Sequence, residues 1–297
     1  MTSLTLNKIN RCIEIVCDGG KKYGFGHIRR SYALAQALKC CGYCVQYKAA
    51  SKDAEKLLPR FTSSTLKPNI RVLDLPYEIN NWLLKKDRND IPIIALDYCG
   101  ATTTSCVISI FEHQLPPAGS RLSGLEYAIV RPEITQLTPV KGDNGVVVMI
   151  GGSDVNQVGG LVADFLASAE VKVDLILGPA YQGNYVTKSS LVTCLTTPLD
   201  LEKRMSACEW AVTNGGGSMM EMMYLGKAVH VMPQTRAERN FAEFILKKGG
   251  ILGIGKNMLK IPDPEEIKSV GKKAKELIDG NGVDRIIRII EKILVDE

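Results

Sequence analysis

Short apolar runs alternate along the chain with longer stretches in which apolar residues recur every three or four positions. That is the pattern of a parallel α/β sheet whose strands are buried on both faces and joined by amphipathic helices. Residues 11–17 (RCIEIVC) read as a first strand. A glycine-rich loop separates it from a helix over about 27–41, where Ile28, Tyr32, Ala35 and Leu38 keep helical spacing. Residues 45–49, 70–75 and 91–96 (IPIIAL) continue the strands, the last ending at Asp97, and a strand near 127–130 would complete the first half. Residues 131–144 (RPEITQLTPVKGDN) carry two prolines and few large apolar residues and read as a linker. The pattern restarts at 145–150 (GVVVMI), followed by a helix near 158–169 and a strand over 171–177. Strands near Leu191, Ala211 and Val229 follow, each separated by a helical stretch, and two amphipathic helices over about 264–279 and 283–295 finish the chain.

A chain of 297 residues with this repeat suggests two Rossmann-like domains, 1–137 and 143–297, facing a cleft, with the last helix free to pack back across it. Lys and Arg total 37 against 32 Asp and Glu. The excess of +5 is too small to point to nucleic acid, yet it suits a local anionic ligand. No apolar run nears the roughly 18 residues of a membrane span, and MTSLTLNKIN lacks the basic-then-apolar order of a signal peptide. Nine scattered cysteines do not suggest a disulfide framework. The expectation is a cytoplasmic protein, a monomer or weak dimer, with no membrane span and no nucleic-acid partner.

In open α/β sheets ligands bind beyond the carboxyl ends of the strands, so the loops there carry the candidate chemistry. The first runs from Asp18 to His27. Gly24 and Gly26 let the backbone approach a ligand, and the helix start behind them favours negative charge. It is neither a dinucleotide fingerprint, because Arg29 stands three residues after Gly26, nor a Walker A loop. His27 at a helix N-terminus, where the protonated form is disfavoured, is a candidate base, with Arg29 and Arg30 behind it. Its alternative is a capping or structural histidine. Lys21 and Lys22 are either a solvated pair or an attractor for a diphosphate, and His113 and His230 read as a surface and a strand residue.

The second loop, Asp97-Tyr98-Cys99-Gly100, offers a carboxylate to orient a histidine or bind a sugar hydroxyl, or else to cap a helix. The third, Gly151-Gly152-Ser153-Asp154, suits a phosphate or sugar contact. In the fourth, Gly215, Gly216, Gly217 and Ser218 form a candidate diphosphate cradle, and Glu221 one turn on can accept both hydroxyls of a ribose. Ser218 and Glu221 also match a capping box. Gln234 and Asn240 add polar groups after a later strand. Cys41-x-x-Cys44 closes a helix without a second pair, and Glu112-His113 lacks a second histidine, so neither metal nor cofactor is expected. Met219, Met220, Met222 and Met223 read as packing residues.

Together these loops resemble the nucleotide-sugar hydrolases of pseudaminic acid biosynthesis (PseG) and the related SpsG-type spore-coat proteins, relatives of the MurG glycosyltransferases with the GT-B fold. Asp18-Gly-Gly, then Gly24-Phe-Gly-His-Ile-Arg-Arg, is similar to the family's N-terminal motif. Gly151-Gly-Ser-Asp is similar to its Gly-Gly-Ser/Thr-Asp turn, and Gly216-Gly-Ser, Glu221 and Leu225-Gly to its nucleotide-binding segment. The resemblance implies metal-independent hydrolysis of a UDP-linked 2,4-diacetamido-2,4,6-trideoxyhexose to free sugar and UDP. His27 would activate water, with inversion at the anomeric carbon, and Asp97 would orient it. Asp18, Gly24, Gly26, Arg29, Tyr98, Gly152, Ser153 and Asp154 would line the sugar side, and Gly215–Ser218, Glu221, Gln234 and Asn240 the nucleotide side. Cys99 stands where the family often has tyrosine. The alternative is a GT-B glycosyltransferase that uses an acceptor in place of water.

Overall fold

Strands β1 (Cys12–Cys17), β2 (Cys44–Ala49), β3 (Ile70–Asp74), β4 (Ile93–Leu96), β5 (Cys106–Ser109) and β6 (Ser120–Ser123) form one wholly parallel sheet in the order β2-β1-β3-β4-β5-β6. The computed structural model describes residues 8–20, 23–80, 91–98, 100, 104–111, 120–138 and 145–295. Alternate residues of these strands enter two different cores. Ile13, Ile15, Ile70, Val72, Ile94 and Ile108 face helix α1 (Gly26–Cys40), while Val16, Leu73, Ala95 and Val107 pack on the other side. Burial on both faces is why the strands read as continuous apolar runs. A short helix α2 (Lys52–Glu55) follows β2, capped by the Ser51 hydroxyl.

The second sheet is also six-stranded and parallel: β7 (Val146–Met149), β8 (Val173–Leu177), β9 (Val192–Thr196), β10 (Trp210–Thr213), β11 (Ala228–Val231) and β12 (Gly253–Ile254), in the order β12-β11-β10-β7-β8-β9. Its helices, after one turn α3 (Pro132–Thr135), are α4 (Val158–Ser168), α5 (Leu201–Ala207), α6 (Gly217–Tyr224), α7 (Arg236–Lys247), α8 (Pro264–Leu277) and α9 (Gly282–Val295). Each sheet reverses its winding once, between β1 and β3 in the first and between β7 and β10 in the second. Those switch points are where open α/β sheets hold their ligands.

The chain forms two compact units, 1–129 with 280–297, and 130–279. The division falls before the proline-rich stretch rather than inside it, because Arg131 and α3 pair with residues of the second unit. The helix α9 belongs to the first unit: Ile286, Ile287, Ile290 and Leu294 join the core of Leu34, Leu38 and Tyr43. Each such aliphatic side chain contributes about 1.5–3 kcal/mol on burial. The start of α9 lies so close to the backbone at Ala128 that a Cβ on Gly282 would sit 2.1 Å from its carbonyl oxygen.

Several expected elements differ in detail. The strand expected near 127–130 is a 3-10 turn, Leu125–Tyr127, and the sheet is completed instead by β5 and β6. No helix separates β8 from β9, and the two-residue β12 is too short to register as an apolar run. The 139–144 part of the linker lies outside the described residues.

Candidate functional site

The loop after β1 and the first turn of α1 meet the end of β3 at the switch point of the first sheet. Gly20 and Gly24 bond each other through both backbone groups (2.8 and 2.7 Å), and Gly24 takes φ +75°, a conformation that favours glycine. Asp18 is buried beneath this loop. Its carboxylate accepts from the Gly19 amide, the Ser51 hydroxyl and the Tyr77 hydroxyl at 2.7–2.8 Å, so it holds the loop rather than facing a ligand.

The centre of the site is a carboxylate that the sequence reading passed over. Asp74 closes β3 and is fully buried. It receives His27 Nδ1 at 2.7 Å, Arg30 Nε at 2.8 Å, Arg30 Nη2 at 2.5 Å and the Ser31 hydroxyl at 2.7 Å. The three donors stand at i, i+3 and i+4 on α1, which puts them on one helix face. Arg30 also pairs with Asp97, whose carboxylate accepts the Ile110 amide at 2.8 Å. Asp97 therefore reaches Arg30 and not His27, and Asp74 is the orienting partner. Asp97 itself stands in left-handed backbone (φ 50°), a strained conformation for a residue with a side chain. Asp74 sat within the expected strand 70–75. The signal for it was its place at the carboxyl end of the strand beside β1.

An ionised carboxylate only accepts, so the 2.7 Å bond from Asp74 puts the ring proton on Nδ1 of His27. The Nε2 lone pair is left for other work, on a side chain about 24% exposed. Burial alone would raise the pKa of Asp74, but the Arg30 guanidinium and His27 outweigh it and hold the carboxyl well below the usual carboxylate range.

Gly26 opens α1 and Arg29 is exposed on it. Tyr98 is buried with its hydroxyl bonded to Glu78, and burial with that bond pushes its pKa up to about 12. Its hydroxyl is thus taken up by Glu78 rather than left open. Gly152 and Ser153 form a half-buried turn after β7. Asp154 accepts the Val158 and Gly159 amides at 2.9 and 2.8 Å, so the start of α4 is occupied by the chain's own carboxylate. That reverses its expected role as a ligand contact. Asp154→Ala is expected to lower stability by about 1–2 kcal/mol, the loss of a helix cap, as read from the urea midpoint.

Around β10 the glycines divide by purpose. A Cβ on Gly215 would sit 2.7 Å from the Glu238 carbonyl oxygen, so that glycine serves the packing of α7, whereas a Cβ on Gly217 would meet nothing within 4 Å. Gly216 is the N-cap of α6, and among the described residues no side chain caps that helix. The expected capping box does not form, because Glu221 turns to Arg131: Nε and Nη2 reach its two oxygens at 2.5 and 3.0 Å. Ser218 is left half-buried beside the open helix start. Glu238, unmarked in the sequence except by its Thr235 cap, receives Asn214 Nδ2 and the Gln234 amide, each at 2.7 Å. Gln234 Oε1 in turn accepts the Asn156 amide at 3.2 Å. These bonds join the loops after β7, β10 and β11. Asn240 is exposed on α7.

The four methionines of α6 are packed as expected, Met219, Met222 and Met223 fully so. His230 is a buried strand residue whose Nε2 bonds the Gly255 carbonyl at 3.0 Å, and burial lowers its pKa. Cys41 and Cys44 are free thiols. Among the described residues no group of His, Cys, Asp or Glu is placed to hold a metal ion, and no helix is long and apolar enough to cross a membrane. Lys21, Lys22, Cys99, Glu112 and His113 lie outside the described residues.

No family model matches the chain. It is 22% identical to the spore coat polysaccharide biosynthesis protein SpsG of Bacillus subtilis (strain 168), over 96% of this chain and 99% of that one. Among solved structures it is similar to MurG of Acinetobacter baumannii, with a TM-score of 0.63, 14% identity, and 95% and 99% of the two chains covered. It is also similar to the calicheamicin glycosyltransferase CalG4 (TM-score 0.59, 12% identity, 96% and 98% covered). A UDP-N-acetylglucosamine 2-epimerase matches it at a TM-score of 0.59, with 12% identity and 95% of each chain covered. Two Rossmann-like parallel sheets and these structural likenesses give the chain the GT-B fold, and it is similar to SpsG along nearly its whole length.

Proposed function

We propose that the protein is a metal-independent hydrolase of a UDP-linked amino or deoxy sugar, of the 2,4-diacetamido-2,4,6-trideoxyhexose class, acting in the cytoplasm in surface-glycan or nonulosonic-acid synthesis. The observation that carries this reading is the His27–Asp74 pair at a strand switch point. With its Nδ1 proton held by Asp74, His27 takes a proton from water at Nε2. The hydroxide oxygen bonds to the anomeric carbon, the carbon–oxygen bond to the diphosphate breaks with its electron pair, and UDP leaves. Asp74 stabilises the imidazolium that forms, and the proton returns to solvent afterwards.

Electrostatics favours this role over diphosphate binding at the same loop. Asp74 and Asp97 surround one guanidinium, an excess of one negative charge. Such a cluster repels a phosphate. The open start of α6 is the better anion site: Gly217 and Ser218 offer uncapped backbone amides to the leaving diphosphate. Glu221 accepts the ribose hydroxyls on the lone pairs that Arg131 leaves free, and Gln234 offers a further polar contact from the loop after β11. Glu221→Ala is expected to weaken UDP binding about tenfold or more, the loss of charge-assisted hydrogen bonds, as measured by calorimetric titration.

The deciding experiment is UDP release from a panel of UDP-amino sugars, without metal and without acceptor. Release with free sugar as co-product is expected. A second reading, transfer to an acceptor alcohol, is favoured by the names of the MurG and CalG4 neighbours, and it uses the same base. UDP binding without release, with turnover only when a lipid or sugar acceptor is added, would establish transfer and overturn hydrolysis.

A further inference from the structure

We infer that Arg131 is a positioning residue for nucleotide selection, the group that sets Glu221 to distinguish a ribose from a deoxyribose. The inference rests on the ribose role proposed above for Glu221. Arg131 is the second residue of its unit, in the stretch that sequence alone marks as a linker. Its side chain is nevertheless largely buried and fully engaged: the fork of Nε and Nη2 takes both oxygens of Glu221, and Nη1 donates to Glu202 at 3.1 Å.

The geometry has two consequences for a bound nucleotide. A fork-to-fork pair fixes the carboxylate plane, and each Glu221 oxygen keeps one lone pair outside the fork. Two hydroxyls on adjacent carbons present two donors at a fixed separation, which is what a carboxylate held in one plane matches. The second consequence is electrostatic. Glu221 is buried with Arg131 as its ion-pair partner, while Glu202 on the far side holds the guanidinium in place. Lysine supplies the charge as a point and leaves the plane free to rotate. Arg131→Lys should therefore keep the affinity for the diphosphate part of the ligand and lose the reading of the sugar hydroxyls.

The test is calorimetric titration with UDP and with 2′-deoxy-UDP, on the intact protein and on Arg131→Lys, with a thermal melt to establish folding. The intact protein is expected to prefer UDP by about tenfold, the loss of one charge-assisted hydrogen bond in the deoxy compound. In Arg131→Lys the preference is expected to fall to about twofold, with 2′-deoxy-UDP bound as before. A purely structural role would weaken both ligands together and leave the ratio unchanged, and that result overturns the inference while sparing the ribose contact. No preference in the intact protein would remove the ribose contact itself and the inference with it. If Arg131→Lys does not fold, Glu202→Gln releases the same guanidinium from its other side. It should lower the ratio about threefold, and an undiminished ratio counts against the inference.

Discussion

Replacing His27 by alanine should lower kcat for UDP release by about 10³-fold while UDP affinity stays within about threefold of the intact protein. The size follows from what the imidazole does: without it, water must attack unassisted by that base. Asp74 and Asp97 are already saturated by Arg30 and by backbone or hydroxyl donors. The affinity should hold because the nucleotide contacts are assigned to loops of the other unit. Single-turnover UDP release and calorimetric titration check the two halves. A folded variant that loses UDP binding would make His27 a ligand contact and remove it as the base.

Asp74→Asn should be nearly as damaging to turnover, by about 10³–10⁴-fold, and it should also cost stability. An amide in place of the carboxylate no longer fixes the proton on Nδ1, so Nε2 is protonated in a large share of molecules and ceases to be a base. The same change leaves Arg30 paired with Asp97 alone and weakens its charge-assisted hydrogen bonds in a buried site, at a cost of about 1.5–3 kcal/mol. The pH dependence identifies the source. In the folded protein Arg30 and His27 hold the Asp74 carboxyl below its unfolded value despite burial. Its contribution is therefore complete above the ordinary carboxylate range, near pH 4, and is lost as pH falls through the lower folded value. The difference in melting temperature between the two proteins should be greatest near neutrality and shrink below about pH 4. A constant difference across that range would mean that Asp74 stabilises by packing rather than by charge.

The alternation of apolar runs was enough to read two parallel sheets, because strands buried on both faces have no polar register to confuse them. β5 and β6 escaped because CVIS and SRLS are short and half polar, and because four residues give no period. At the candidate site, His27 was legible from its loop, since glycines and a helix start surround it in sequence. Its partner was not. Asp74 lies 47 residues away, and only the strand order β2-β1-β3 brings it beside α1. Arg131 was concealed for a different reason: prolines and glycine made its neighbourhood read as a connector, whereas its own side chain is bonded to α6. Asp154 shows the reverse error, where a helix start that looked ready for a phosphate was filled by the carboxylate next to it.

The place of α9 sets an order of events in the life of the chain. Residues 130–279 form a complete unit on their own stretch of sequence, but the other unit draws its last layer from 282–295. On the ribosome the second unit has all its residues exposed while the first still waits for Ile286, Ile287, Ile290 and Leu294 to emerge. The domain made first is thus the last to complete its core, and until then the part of that core that α9 joins is open to chaperones or other nascent chains.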